Sequence, residues 1–348
     1  MCEGCLDQLL VLVRPGQPRK SVIRQILDSF LYFPYCFHSV TVLPILNSDT
    51  LQIFSEDTGS VMEEKGAPLI HIEHLYHRYE HSGDSTESEP QYSLRDVSLE
   101  ISRGEYVAII GANGSGKSTL LRHFNALLLP VSGDVWVAGW NTKDSTKLRD
   151  IRSKVGMVFQ SPDTQIVATV VEEDVAFGPE NLGIPWEELR YRVDWALERV
   201  GLGELRKRPA QFLSAGQKQL LAIASALSMH PDCLVLDEAT ASLDPVSRMR
   251  FLDTIDTLHG EGITVIATTH RMEEAARAER VVALSEGTVI MNGDPRTVFT
   301  ECEALFRLKL DMPETVKIAM GIASQVTGFK NDALTVNELV DAILGFSK

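Results

Sequence analysis

From Pro68 onward, apolar and polar positions fall into regular blocks that predict alternating strands and helices. Leu69, Ile70, Ile72 and Leu75 predict a strand, and the polar run Glu80–Gln91 (EHSGDSTESEPQ) after it reads as an exposed loop. A second strand is expected over Ser93–Ile101, with Leu94, Val97, Leu99 and Ile101 apolar. Arg103-Gly104 then turns the chain into Tyr106–Ile110 (YVAII), an unbroken apolar run of the kind found in parallel strands covered on both faces. Val155–Phe159, Cys233–Leu236, Ile263–Thr268 and Val281–Leu284 repeat that signature, with helical patterns between them, as crossover connections require. Between Glu172 and Met229 no strong strand is expected, so a mostly helical insert spans about 161–230, and after Pro295 the chain is mixed and largely helical to Lys348.

The first 61 residues do not share this regularity. Ser29–Ser48 carries no formal charge and follows basic residues, which is the length and flank of a membrane segment or signal anchor. Pro34 and Pro44, with His38, Ser39, Thr41, Asn47 and Ser48, dilute it, and the favoured expectation is an extension outside the fold, or a translated stretch ahead of a start at Met62. Composition narrows the rest. With 44% hydrophobic residues the chain is neither disordered throughout nor fibrous. A formal charge of −15 argues against a free-standing nucleic-acid binder, yet leaves room for a small anion held by a local field. Cys2, Cys5, Cys36, Cys233 and Cys302 fit no disulfide framework in 348 residues, which points to a reducing compartment.

The run Gly111-Ala-Asn-Gly-Ser-Gly-Lys117-Ser118-Thr119 follows the buried strand YVAII and precedes a helical pattern starting LLRHFNALL. Glycines let a backbone wrap close to phosphate oxygens, so that successive N–H groups point inward as an anion nest. Asn113, Gly114, Ser115, Gly116 and Thr119 belong to this cradle, while Lys117 is expected on the β- and γ-phosphates and Ser118 on Mg²⁺. Nucleotide binding follows. The reaction is narrowed by what comes later.

Cys233-Leu-Val-Leu-Asp237-Glu238 is an apolar strand ending in two carboxylates, one suited to Mg²⁺ and its water shell (Asp237), the other to polarising an attacking water (Glu238). Cys233 is expected to pack in the core. His270, after the strand Ile263–Thr268, is placed to meet a γ-phosphate and orient Glu238, and Gln160 can offer its amide oxygen to Mg²⁺ or water. Leu213-Ser-Ala-Gly-Gln217 opens a helix with a serine–glycine pair, a favourable anion site.

In this order, GANGSGKST, the glutamine of VFQ, LSAGQ, LVLDE, the SLD of Ser242–Asp244 and the histidine of TTH resemble the nucleotide-binding subunits of ABC transporters over about Pro68–Pro295. The spacings suit that family too: 43 residues from Lys117 to Gln160, 54 on to Ser214, and 33 from Asp237 to His270. Tyr79 in HRYEH matches the aromatic that stacks on adenine, leaving Tyr76 and Tyr92 to packing. SPDTQIVATVVEEDVAFGPENLGIP, EATASLDP and the tail NGDPRTVF…LKLDMPETVKIA are similar to the ATPases of energy-coupling-factor importers, which take up vitamins and transition-metal ions. The resemblance implies an α/β P-loop NTPase (RecA-like) core with an antiparallel β subdomain, a helical signalling insert and a small C-terminal helical appendage. It divides the chain at 1–61, 62–295 and 296–348, the last piece pairing subunits.

The same resemblance implies an ATP hydrolase coupled to transport, with ATP and Mg²⁺ as cofactors. Its partners would be a second ATPase subunit of the same type, a transmembrane coupling protein and a substrate-binding membrane subunit, at the cytoplasmic face of the cell membrane and without nucleic acid. Lys117, Gln160, Glu238 and His270 would be catalytic, Ser118, Gln160 and Asp237 would hold the metal, and Ser214, Gly216, Gln217 and Asp244 would reach the partner's nucleotide in trans. Glu172–Asp174 (EED) is expected either to pair with basic residues of a membrane partner or to be a solvated acidic face. Ala215 departs from the usual first glycine of LSGGQ. A soluble ABC ATPase acting on DNA or ribosomes, and a P-loop kinase, are the rival classes. DNA-repair members carry a long coiled-coil insert where only 97 residues separate Lys117 from Ser214, and a kinase would need neither LSAGQ nor His270.

Overall fold

The computed structural model describes residues 67–79, 92–330 and 332–346. The possible membrane segment at Ser29–Ser48, the rest of the N-terminal extension and the Glu80–Gln91 loop lie outside the described residues. Contacts group residues 66–336 as one compact unit; the described part of a second unit is the end of a helix over Val336–Phe346.

Two sheets build the larger unit. Strands β1 (Ile70–His77), β2 (Leu94–Ile101), β4 (Ser132–Val137) and β5 (Trp140–Asn141) form an antiparallel sheet in the order β2-β1-β4-β5. The second sheet runs β10-β9-β3-β8-β7-β6, using β3 (Tyr106–Gly111), β6 (Val155–Val158), β7 (Cys233–Asp237), β8 (Thr264–Thr268), β9 (Arg280–Ser285) and β10 (Thr288–Gly293). All its pairings are parallel except β9 with β10.

The central strands are apolar at nearly every position because both faces are covered, and the period of two sorts their side chains. Tyr106, Ala108 and Ile110 of β3 join one apolar cluster, and Val107 and Ile109 join the other. The first cluster is closed by α3 (Val171–Asn181), α4 (Trp186–Arg199), α5 (Ala215–Leu227) and α6 (Pro245–Gly260). The second is closed by the antiparallel sheet and by Leu120, Leu121 and Phe124 of α1 (Lys117–Phe124). The helix α2 (Leu148–Lys154) leads into β6 and buries Ile151 there. Beyond β10, α8 (Pro295–Thr300), α9 (Cys302–Arg307) and α10 (Glu314–Gln325) bury Val298, Phe299, Leu305 and Val316 in the same cluster as α3–α6. The four-residue helix α7 (Met272–Ala275) sits between β8 and β9, and α11 is Val336–Phe346.

Each expected strand is present within a few residues, whereas β4, β5 and β10 were not expected. β4 and β10 are half exposed, so only Val135 and Val137 of β4 reach the core. The helix after the phosphate loop starts at Lys117, three residues before the apolar pattern that announces it, because its first turn faces the loop. Among the described residues no helix is long and apolar enough to cross a membrane.

Candidate active site

The parallel strands β3, β7 and β8 end side by side, with Ile109 paired to Thr268 and Asp237 paired to Thr268 from the other flank. Functional groups of open parallel sheets gather beyond such carboxyl ends. The loop after β3 needs glycine at two points in particular. A side chain on Gly111 would collide with Ser115 Oγ and meet Leu284 O at 2.5 Å; Gly116 has φ +105°, and a side chain there would strike Ser93 O at 2.7 Å. The loop is therefore braced by the start of β2 and the β9–β10 turn, where Gly287 N donates to Ser115 O over 3.0 Å.

Lys117 Nζ curls back to donate to Gly111 O at 2.8 Å and Ala112 O at 3.2 Å, and lies 3.9 Å from Glu238 Oε1. Burial pushes its ammonium below the usual lysine range, opposed by the Glu238 and Asp237 carboxylates. Ser118 Oγ donates to Asp237 Oδ1 at 2.9 Å. Adjacent oxygens of an octahedral Mg²⁺ shell at about 2.0–2.1 Å are themselves about 2.9 Å apart, so this hydroxyl–carboxylate pair suits a hard cation.

Glu238 stands just past β7 with φ +49°, a left-handed conformation uncommon for a side-chain-bearing residue. Its N–H donates to Thr268 Oγ1 at 2.9 Å, and Thr268 Oγ1 donates in turn to Asp237 Oδ1 at 3.0 Å. The kink sends consecutive carboxylates apart: Asp237 toward Ser118, Glu238 toward His270, whose Nε2 is 2.7 Å from Glu238 Oε1. His270 Nε2 is also 3.5 Å from Lys117 Nζ. Lys117, Ser118, Asp237, Glu238 and His270 thus converge, as the sequence predicts.

Gln160 is exposed just past β6. Two glutamines that sequence reasoning missed hold its approach: Gln165 Oε1 accepts from Phe159 N at 3.1 Å, and Gln219 Nε2 donates to Phe159 O at 2.9 Å. Tyr79 packs edge-on against His77 with ring centroids 5.0 Å apart, and its hydroxyl is 3.1 Å from Thr119 Oγ1, which ties it to α1. Tyr76 and Tyr92 pack edge to face on each other, the packing role expected of them.

The LSAGQ segment forms the start of α5. Ser214 Oγ accepts from Gln217 N at 3.3 Å, and Gln217 Oε1 accepts from Ser214 N at 3.0 Å, a reciprocal cap. Gly216 packs so closely on α6 that a side chain would lie 2.6 Å from Ser247 Cβ, while Ala215 is exposed. Asp244 caps α6, accepting from Val246 N and Ser247 N. Hydrogen bonding, first from the Ser247 side chain and then from these N–H groups, holds its carboxyl below the usual range.

The acidic run at the start of α3 matches neither expectation as a unit. Asp174 is buried and accepts from Val167 N, Ala168 N and Ser225 Oγ, Glu172 pairs with Arg206 at 2.8 Å, and only Glu173 is exposed. Cys233 is fully buried, which pushes its thiol up and removes it from chemistry.

Against known proteins, the ABC transporter family matches residues 94–241. The energy-coupling factor transporter ATP-binding protein EcfA1 of Caldanaerobacter subterraneus subsp. tengcongensis is 50% identical over 258 residues, 74% of this chain and 93% of that protein. EcfA1 of Clostridium novyi is 45% identical over 276 residues, 79% of this chain and 97% of that protein. Among solved structures, cbiO1 from Clostridium perfringens, part of the ABC transporter complex cbiONQ, is similar with a TM-score of 0.62 and 35% identity, covering 75% of this chain and all of that one. An ATP-binding cassette solved as a dimer in a post-hydrolysis state with ADP and Pi gives a TM-score of 0.58 at 30% identity, covering 65% of this chain and 98% of that one.

Proposed function

The chain belongs to the energy-coupling factor transporter ATP-binding proteins of the ABC transporter family, and from that premise we propose that it hydrolyses ATP to drive an importer whose membrane-spanning part is other chains. The observation that carries the reading is the convergence of Lys117, Ser118, Asp237, Glu238 and His270 at adjoining strand ends.

In this mechanism the loop Gly111–Thr119 and Lys117 bind the triphosphate, with Asn113, Gly114, Ser115 and Gly116 around it and Tyr79 under the base. Ser118, Asp237 and Gln160 would hold Mg²⁺, which supplies charge neutralisation at the phosphate oxygens. Glu238 orients and deprotonates the attacking water. His270, bonded to Glu238, keeps that carboxylate aimed and faces the γ-phosphate. Two ATPase chains close head to tail, each nucleotide completed by the partner's Ser214, Gly216, Gln217 and Asp244. The exposed start of α5 supports this, since the dipole at a helix N-terminus favours an anion such as phosphate. ATP is then part of the interface, so binding favours closure and hydrolysis weakens it.

The heterodimeric pairing, the cytoplasmic face and a vitamin or metal-ion cargo belong to the same proposal. Docking of a transmembrane coupling protein on the helical insert is supported by the exposed Val167 and Phe177 beside the segment after Gln160. Domain limits of 62–295 for the ATPase and 296–348 for a pairing appendage complete it, and the relatives support this importer reading over an ABC-type protein acting on DNA or ribosomes. Affinity purification from detergent-solubilised membranes tests the reading: integral membrane proteins and a second ATPase should co-purify, and recovery with ribosomes or DNA instead would overturn it.

A further inference from the structure

The loops that carry Glu238 and His270 are tied together by a carboxylate that no step above uses. Glu274, on the short helix α7, is 7% exposed. Its Oε2 accepts one hydrogen bond from Thr240 Oγ1 at 2.8 Å and another from Thr269 Oγ1 at 2.7 Å. Both threonines are buried; Thr240 stands two residues after Glu238 and Thr269 one before His270. Thr269 Oγ1 also accepts from Arg271 N at 3.0 Å, which draws the turn beyond His270 into the same knot. The other oxygen, Glu274 Oε1, faces Arg271 Nε at 3.8 Å. A buried carboxylate is costly unless its oxygens are engaged, so its use here needs a geometric reason that an apolar side chain would not satisfy.

We propose that Glu274 is a positioning residue for hydrolysis: by bonding Thr240 and Thr269 at once, it fixes the loop bearing Glu238 against the loop bearing His270. The 2.7 Å approach of His270 Nε2 to Glu238 Oε1 depends on that tie, because neither loop has a regular ladder beyond the strand ends. Thr240 also begins the turn to Asp244, where Leu243 N donates to Thr240 O at 3.2 Å. The tie therefore reaches the segment read above as facing the partner's nucleotide. This inference rests on the proposed roles of Glu238 and His270.

The test compares Glu274→Ala, Glu274→Gln, His270→Ala and the double variant Glu274→Ala/His270→Ala in the full-length protein. Phosphate release, KM for ATP, affinity for a fluorescent ATP analogue and thermal melting are read for each. A misplaced catalytic group costs up to about 10²-fold, so Glu274→Ala should lower kcat about 10- to 100-fold with KM and affinity within about 2-fold. Glu274→Gln keeps an acceptor oxygen and should recover most of the loss. On the His270→Ala background, removing Glu274 should cost little more, because one residue acts through the other. Fully multiplying losses, or affinity falling in step with kcat, overturns the proposal. Should Glu274→Ala melt below the assay temperature, Thr240→Val against Thr240→Ser decides, and wild-type kcat in the valine variant overturns it equally. Full turnover by Glu238→Gln would instead sink the hydrolytic reading itself, so the two failures are distinguishable.

Discussion

His270 Nε2 lies 2.7 Å from Glu238 Oε1, and Lys117 Nζ lies 3.5 Å from that same imidazole nitrogen. Lys117 Nζ is itself 3.9 Å from Glu238 Oε1, so the imidazole, the carboxylate placed to activate water and the ammonium placed to hold phosphate form one tight triangle. Glu238→Gln removes the base yet keeps the size and a hydrogen-bonding oxygen. Affinity for an ATP analogue should stay within a few-fold of wild type while phosphate release falls by about 10²-fold or more. Equilibrium binding and steady-state turnover on one preparation check the split.

Thr268 sets the direction of both carboxylates, since its hydroxyl accepts from Glu238 N and donates to Asp237 Oδ1. It is 3% exposed, so water cannot replace either bond. Thr268→Val keeps the shape and leaves the Glu238 N–H unpaired at a left-handed residue, a loss of about 1–3 kcal/mol in urea unfolding. Turnover should drop about 10-fold. Thr268→Ser should restore both, and a valine variant with wild-type turnover would refute this account of the kink.

How far the sequence is legible follows from the kind of signal each residue leaves. Buried parallel strands announce themselves, because two covered faces demand unbroken apolar runs such as YVAII and CLVL. The phosphate loop is equally readable, since Gly111 and Gly116 answer to steric limits that no other residue meets. β4 and β10 are half-exposed and carry apolar runs of only three residues, Val135–Val137 and Val289–Met291, which is too short a pattern to announce a strand. Asp174 is invisible for a different reason: within EED it looks like its neighbours, and only tertiary contact with Val167, Ala168 and Ser225 sets it apart. Thr268, Glu274, Gln165 and Gln219 share that fate. A single polar residue that holds a loop has no period, and its partners are distant in sequence.

Gly216 and Ala215 are adjacent but stand in opposite surroundings. A methyl group on Gly216 would press 2.6 Å from Ser247 Cβ, forcing α5 from α6, whereas Ala215 already carries one at the exposed helix start. Gly216→Ala should cost about 1–3 kcal/mol of stability by overpacking. Ala215→Gly should cost at most about 1 kcal/mol, the intrinsic preference of a helix for alanine. Mixed dimers of wild-type and Gly216→Ala chains check the trans assignment. The nucleotide held by the wild-type chain should be the one whose hydrolysis fails, and equal loss at both would refute it.

His123 gives the protein a pH dependence of definite sign. Its imidazole, in the last turn of the phosphate-loop helix, is fully buried, with Nδ1 2.8 Å from Thr119 O and the ring edge-on to His77. Burial pushes its pKa down to about 4, and His77 is lowered by the same cause. A group whose folded pKa lies below its unfolded value binds more protons when unfolded, so its contribution to stability is intact above about pH 6.5 and is lost as pH falls toward 4. For His123 alone the loss at pH 5 is about 2 kcal/mol. His74 acts oppositely, its pKa raised by the side-chain bond to Asp96, while carboxyls held low, such as Asp232, matter only at more acid pH. His123→Gln isolates the effect by removing the titration while leaving a donor for Thr119 O. Urea unfolding at pH 7.5 and pH 5 should show wild type losing about 2 kcal/mol more than the variant; equal losses would place the acid sensitivity elsewhere.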